Sequence, residues 1–253
     1  MTFLFCLLVL TLAASGESVW PRFRGPEGMG CSKTKLPTKL PKETLFWSTK
    51  LPGQGSSSPV IWNDKLFITS ENRAQKNIRV VCLDALLGKT LWTQSLKVGE
   101  SHLHRFNNAA ASTPVVSAEH VAVAWFDGVA KTAMLTTFDH SGKKLWEKSL
   151  GSYESQHGFC LNPVIHKDVI FVAPLHQGEG SVVAISLHSG EEKWKRSYRG
   201  SKTSYVEVSR NDLNPNPGVT HTDATPAIAH DRLYLRVGDR LDCHGTPQTP
   251  PQK

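Results

Sequence analysis

Apolar residues in this chain come in short runs rather than at the three-to-four-residue spacing of a helix, and Pro, Gly, Asp and Ser punctuate the runs. Runs such as Leu66-Phe67-Ile68 and Val169-Ile170-Phe171-Val172 are apolar at consecutive positions, the pattern of strands covered on both faces. Four segments begin alike: Ser58-Pro59-Val60-Ile61, Thr113-Pro114-Val115-Val116, Asn162-Pro163-Val164-Ile165 and Thr225-Pro226-Ala227-Ile228. After a short polar turn each leads into a second apolar run, at Lys65, His120, Asp168 and Arg232 respectively. Pro59, Pro114, Pro163 and Pro226 are 55, 49 and 63 residues apart, so the spacing is irregular while the content repeats.

The first three units continue into a third strand, a turn and a strand carrying tryptophan. Cys82 to Trp92 and Ala184 to Trp194 share one length, and Phe138 to Trp146 is shorter in its turn. Asp84, Asp139 or Ser186 can bond the turn backbone, and Gly88, Gly142 and Gly190 accept positive φ without steric cost. Trp92, Trp146 and Trp194 each stand four residues after that glycine, where a ring can be buried between neighbouring sheets. Each unit is therefore predicted to be a four-stranded antiparallel meander of roughly 50 residues, the plan of a β-propeller blade.

The termini complete one another. Leu45-Phe46-Trp47 is a tryptophan strand with no unit before it, and the last unit, Ala224 to Gly245, stops before any tryptophan strand. Pairing the two gives a composite blade. The predicted fold is an all-β propeller of about four repeats, three complete and one composite, either closed or left as an incomplete ring. Residues 45–245 form the propeller with a polar insertion at 195–223, preceded by an extended segment at 17–44 and followed by a disordered tail at 246–253.

Phe3 to Ala14 is a 12-residue apolar run broken only by Thr11, followed by Ser15 and Gly16. It reads as a secretory signal peptide over residues 1–16, although no Lys or Arg precedes it. No apolar run is long enough for a membrane helix, and the placement of Cys6 and Cys31 argues against a lipid anchor. A secreted or periplasmic location follows. The formal net charge of +7 is spread along the chain without aromatic interleaving, which argues against nucleic-acid binding. Cys31, Cys82, Cys160 and Cys243 permit disulfides whose pairing cannot be read, and no CxxC or CxxH spacing points to zinc.

These repeats resemble the pyrroloquinoline-quinone-repeat β-propellers. Cys82, Asp84, Leu87, Gly88 and Trp92 fall on that blade signature, and Ala184, Ser186, Ser189, Gly190 and Trp194 fall on it again. The opening Trp20-Pro21-Arg22-Phe23-Arg24-Gly25-Pro26 is similar to exported bacterial propeller proteins that resemble the outer-membrane barrel-assembly lipoprotein. Relatives of this kind usually carry seven or eight blades, about twice the number here. The resemblance implies a propeller fold, and for the dehydrogenases of the superfamily it implies a quinone with calcium held by Glu and Asn, an aspartate base and adjacent cysteines. No Cys–Cys dipeptide exists and no such ligand set can be placed, so no cofactor is predicted and quinone with calcium is kept as the alternative.

His102 and His104 stand two apart, and His157 and His221 fall in equivalent connections, so all four could approach the central mouth. They are otherwise exposed loop residues. Asp127 and Asp223 are further acids near that mouth. No nucleotide loop, catalytic triad or carboxylate pair can be argued. The sequence points to a non-catalytic scaffold that binds a protein or peptide partner. The alternatives are a quinoprotein oxidoreductase or its remnant, and a glycan or small-ligand binder at the ring centre.

Overall fold

The computed structural model describes residues 18–100, 104, 107–199 and 227–245. The leader, His102, His221, Asp223, Pro226, residues 200–223 of the polar insertion and the tail lie outside the described residues. In chain order the described strands are β1 (Val19–Trp20), β2 (Leu45–Lys50), β3 (Val60–Trp62), β4 (Lys65–Asn72), β5 (Asn77–Asp84) and β6 (Thr90–Lys97). They continue with β7 (Val115–Val116), β8 (Val121–Asp127), β9 (Thr132–Phe138), β10 (Lys144–Ser152), β11 (Val164–His166) and β12 (Val169–Val172). The last are β13 (Glu179–Ser186), β14 (Glu192–Arg199), β15 (Ala227–Ala229), β16 (Arg232–Val237) and β17 (Arg240–Gly245). Strand β14 thus runs five residues into the segment assigned from sequence to the insertion. Among the described residues no helix is long and apolar enough to cross a membrane.

Four antiparallel sheets result: β3-β4-β5-β6 is blade 1, β7-β8-β9-β10 blade 2, β11-β12-β13-β14 blade 3, and β15-β16-β17-β2 the composite blade. The two ends of the chain meet as predicted, with Cys243 opposite Trp47 and Leu241 opposite Thr49. The extended segment before β2 contributes an element that no periodicity announced. Strand β1 adds to the inner edge of blade 1, pairing Trp20 with Ile61. It also lies beside β15, and Pro21 O accepts the Val116 N–H of blade 2 at 2.8 Å. Residues 19–21 thereby touch three blades.

The turn chemistry is local and reads directly from the residues. Asp84 Oδ1 accepts the N–H groups of Leu86 and Leu87 at 2.8 Å, and Asp139 Oδ1 accepts those of Ser141 and Lys143. Gly88, Gly142 and Gly190 adopt φ of 71°, 87° and 72°, the left-handed region that penalises a Cβ. Each glycine also receives the tryptophan of the preceding blade: Trp47 lies on Gly88, Trp92 on Gly142 and Trp146 on Gly190. The indole N–H groups of Trp92 and Trp146 then donate to His140 O and Leu187 O in the next blade, at 3.1 and 2.9 Å.

Just before Trp47, Trp92, Trp146 and Trp194 the pairing slips by one residue, between Cys243 and His244, Cys82 and Leu83, Lys144 and Trp146, and Ala184 and Ile185. This bulge turns the indole toward the next blade and leaves its predecessor outside the ladder. Phe46, Leu91 and Leu145 are exposed for that reason.

Between the sheets lie the apolar contacts that make the assembly. Val60, Phe67 and Cys82 of blade 1 pack with Val116 and Val121 of blade 2, and Trp92 leans on the group. Trp20, Ile61, Leu66 and Ile68 pack with Ala227, Tyr234 and Cys243 of the composite blade. Burying a side chain of this size contributes about 1.5–3 kcal/mol, so each blade is stabilised mainly by its neighbours.

Blade 3 departs from the pattern. Its equivalents of Val60, Phe67, Cys82 and Trp92 are Val164, Phe171, Ala184 and Trp194, and Trp194 is 43 % exposed. Residues 192–197 of β14 are all exposed, whereas β6 and β10 alternate exposed and covered positions. Among the described residues the arc therefore runs composite blade, blade 1, blade 2, blade 3, with no further sheet beyond blade 3, consistent with an incomplete ring.

Candidate functional site

The connections that lead from each outer strand to the next inner strand gather at one end of the arc, and they carry its most concentrated polar chemistry. The residues before Pro59, Pro114 and Pro163 form a seam between blades. Ser58 N–H donates to Thr113 Oγ1 at 3.1 Å, and Thr113 N–H donates to Asn162 Oδ1 at 2.8 Å. Proline follows because the extended conformation it imposes on its predecessor aims that N–H sideways, toward the next blade. Ser58 and Thr113 are buried, and the seam satisfies backbone donors that no strand reaches.

A second tier lies alongside. Ser57 N–H donates to Ala110 O at 2.9 Å, Asn108 Nδ2 donates to Ser56 Oγ at 2.7 Å, and Leu161 N–H donates to Ser112 Oγ at 3.0 Å. Glu71, 7 % exposed, accepts Ala109 N–H at 3.1 Å and pairs with Arg73 at 3.4 Å. Arg236 reaches in from the composite blade, 2 % exposed, donating from Nη1 to Ser57 Oγ and Thr69 O and from Nε to Gly238 O. Gly55 makes room for the guanidinium: a Cβ there would stand 2.7 Å from Nη2. Burial pushes the Arg236 pKa down to about 9, with Asp239 opposing the shift.

Of the histidines singled out from sequence, His104 and His157 come together at this end, with ring centroids 5.7 Å apart in an edge-to-face arrangement. Asn107 Nδ2 donates to His157 O at 2.6 Å, fixing the two connections to each other. Asp127 Oδ1 accepts the N–H groups of Val129 and Ala130 in the turn after β8. The described cysteines are free thiols. Burial pushes Cys82 up to about 12 and Cys243 to about 11, so both stay protonated and inert as nucleophiles. Residues that sequence inspection missed are Glu71, Asn108 and Arg236, whose partners are set by the stacking of blades rather than by any spacing along the chain.

A quinone–calcium centre needs carboxylate and amide oxygens that converge on the ion. Here Glu71 is engaged by Ala109 N–H and Arg73, and Asn162 is engaged by Thr113. These Glu71 and Asn162 oxygens are thus already engaged within the seam.

A model of the family described as "Outer membrane protein assembly factor BamB" matches residues 38–206 and 131–241. Among curated protein sequences none matches this chain. Among solved structures, the quinohemoprotein alcohol dehydrogenase ADHIIG from Pseudomonas putida HK5 is similar at TM-score 0.53 and 16% identity, over 88% of this chain and 35% of that one. A europium-containing methanol dehydrogenase is similar at TM-score 0.45 and 16% identity, over 62% of this chain and 27% of that one. The chain thus spans about a third or less of these neighbours. With its blade signature matched from the first tryptophan strand to the composite blade, the chain belongs to the pyrroloquinoline-quinone-repeat propeller family described as outer membrane protein assembly factor BamB.

Proposed function

We propose that the chain is an exported, non-catalytic propeller scaffold that holds a protein or peptide partner on the open face of blade 3. The observation that carries this reading is the exposure of Trp194 beside Phe171, on a face whose counterparts in blades 1 and 2 are covered by the next blade. An apolar sheet face with an indole at its rim is the kind of surface that partner chains bury. Lys193, Lys195 and Arg196 are exposed along the same strand, so the partner expected is an apolar β-segment bordered by acidic residues. The family description, an assembly factor of the outer membrane, agrees with protein binding in a cell envelope.

The test is site-specific photocrosslinking from position 194, with position 145 on blade 2 as the control, in an envelope-bearing bacterial host. The captured protein is then purified and titrated against the unmodified chain. A partner captured from position 194 alone, with micromolar affinity weakened tenfold or more by Trp194→Glu, supports the reading. Equal labelling from both positions defeats it. So does alcohol oxidation by the purified protein supplied with pyrroloquinoline quinone, calcium and an artificial electron acceptor.

A further inference from the structure

At the end of the arc opposite the polar seam, the tight turn between β7 and β8 of blade 2 faces the turn between β13 and β14 of blade 3. The first carries Glu119 and His120 and the second His188, and one ligand atom from each lies within 4.8 Å of the other two. The two imidazoles meet edge to face with centroids 5.0 Å apart. His120 is only 6 % exposed, while Glu119 and His188 open to solvent, so the cluster has a buried floor and an accessible mouth. On the outer side His188 Nε2 faces Asp168 Oδ1 at 3.4 Å, the kind of carboxylate partner that orients ligating histidines.

Both turns are held in place. Ser117 N–H donates to His120 O at 2.8 Å, and His120 N–H donates to Ser117 Oγ. On the other side Leu187 N–H donates to Asp168 O at 2.9 Å, Gly190 N–H to Ser186 O, and the Trp146 indole to Leu187 O. The three groups thus stand on positions fixed by backbone bonds.

We propose that Glu119, His120 and His188 form a divalent transition-metal site, best matched to zinc, that clips blade 2 to blade 3. Two imidazoles and one carboxylate are a borderline donor set of the kind zinc takes, with a solvent molecule completing a tetrahedron. Donors bound at about 2.0–2.1 Å would stand about 3.4 Å apart, so the present spacing, within 4.8 Å, has to close slightly on binding. The Trp146-to-Leu187 bond between the blades is thereby supplemented by a bond set that the sequence motif for zinc, a short local spacing, could not reveal.

The experiment is a zinc titration of the chelator-stripped full chain, followed by a competing chromophoric chelator and by hydrogen exchange. Expected are one zinc per chain at micromolar affinity, slowed exchange in the β7–β8 and β13–β14 turns, and at least tenfold weakening by His188→Ala and by Glu119→Gln. Both substituted residues are exposed, so the variants should melt with the metal-free parent; His157→Ala, at the far end, should bind as the parent does. No saturable binding below 100 μM on the order of a weak surface site would overturn the proposal. So would binding unaffected by His188→Ala and Glu119→Gln, or zinc protection confined to the His104 and His157 connections.

Discussion

The indole of Trp47 occupies the space that a side chain on Gly88 would need: a Cβ there would stand 2.5 Å from Trp47 Cδ2. The same relation joins Trp92 to Gly142 and Trp146 to Gly190, each at 2.8 Å. Glycine and tryptophan, four residues apart in the repeat, therefore serve two different interfaces. The glycine receives the blade before it, and the tryptophan reaches the blade after it.

Gly88→Ala should lower stability by about 2–4 kcal/mol, since it adds strain at positive φ to displacement of a packed indole. Gly238, in the turn between β16 and β17, has φ of 61° and nothing within 4 Å of an added Cβ. Gly238→Ala should carry only the conformational part, about 1 kcal/mol. Denaturant melts of the two variants give the difference, and equal losses would show that the Trp47 contact contributes nothing.

The tryptophans themselves should separate by position. Trp92 leans on Phe67 and Phe138 and donates to His140 O, so Trp92→Ala should cost about 3 kcal/mol or more. Trp194, with its exposed face, should cost less than about 1.5 kcal/mol in the isolated chain. A Trp194→Ala variant as damaged as Trp92→Ala would mean that the blade 3 face is covered in solution.

These repeats were legible because their signals are local. Asp84, Gly88 and Trp92 fix a turn and a strand within nine residues, and the alternation of apolar runs then fixes the blade. What was not legible depends on neighbours in space. The bulge that exposes Phe46 and Leu91 leaves no mark on the spacing, and β1 is too short to show a period. The bonds from Ser58 to Thr113 and from Thr113 to Asn162 cross 55 and 49 residues, so the polar residue before each proline was recognised as recurrent without its purpose being visible. The facing of Glu119 and His120 toward His188 has the same origin.

That seam yields a direct prediction. Thr113→Val keeps the shape but leaves the buried Ser58 N–H without its acceptor, at a cost of about 1–3 kcal/mol. Thr113→Ser retains the hydroxyl and should restore most of the loss. Thermal melts of the pair decide it, and a Thr113→Val protein as stable as the parent would remove the seam from the account.

Acid should weaken the composite blade. Burial holds His230 and His244 below the ordinary value of 6.5; Arg232 adds to the shift at His230, where Asp64, Asp231 and Asp84 oppose it, and Asp242 opposes it at His244. With folded values depressed, the unfolded chain takes up protons first as pH falls below 6.5, so stability is lost from there down to the folded pKa values and is constant above. Urea midpoints measured at about pH 7.5 and 5.5 should differ in this direction. Replacing both histidines with Gln should shrink the difference, and an unchanged difference would place the acid sensitivity elsewhere.

Trp20 provides the last test, because the residues around it hold the composite blade and blade 1 together. It is 1 % exposed and packs with Ile61, Leu66 and Ile68 on one side and Ala227, Ala229 and Tyr234 on the other. Gly25 closes over the ring, where a Cβ would stand 2.8 Å from Cη2. Trp20→Ala should therefore cost about 3–5 kcal/mol while leaving every ladder intact, giving a monomer with a lowered melting point. Deleting residues 17–50 removes β2 as well and leaves β17 as an unpaired edge with Leu241 and Cys243 uncovered, so that variant should aggregate. Light scattering and melts distinguish the two: a Trp20→Ala protein with the parent's melting point would show that the N-terminal strand only decorates blade 1, and a soluble, monomeric deletion would show that the chain ends do not share a blade.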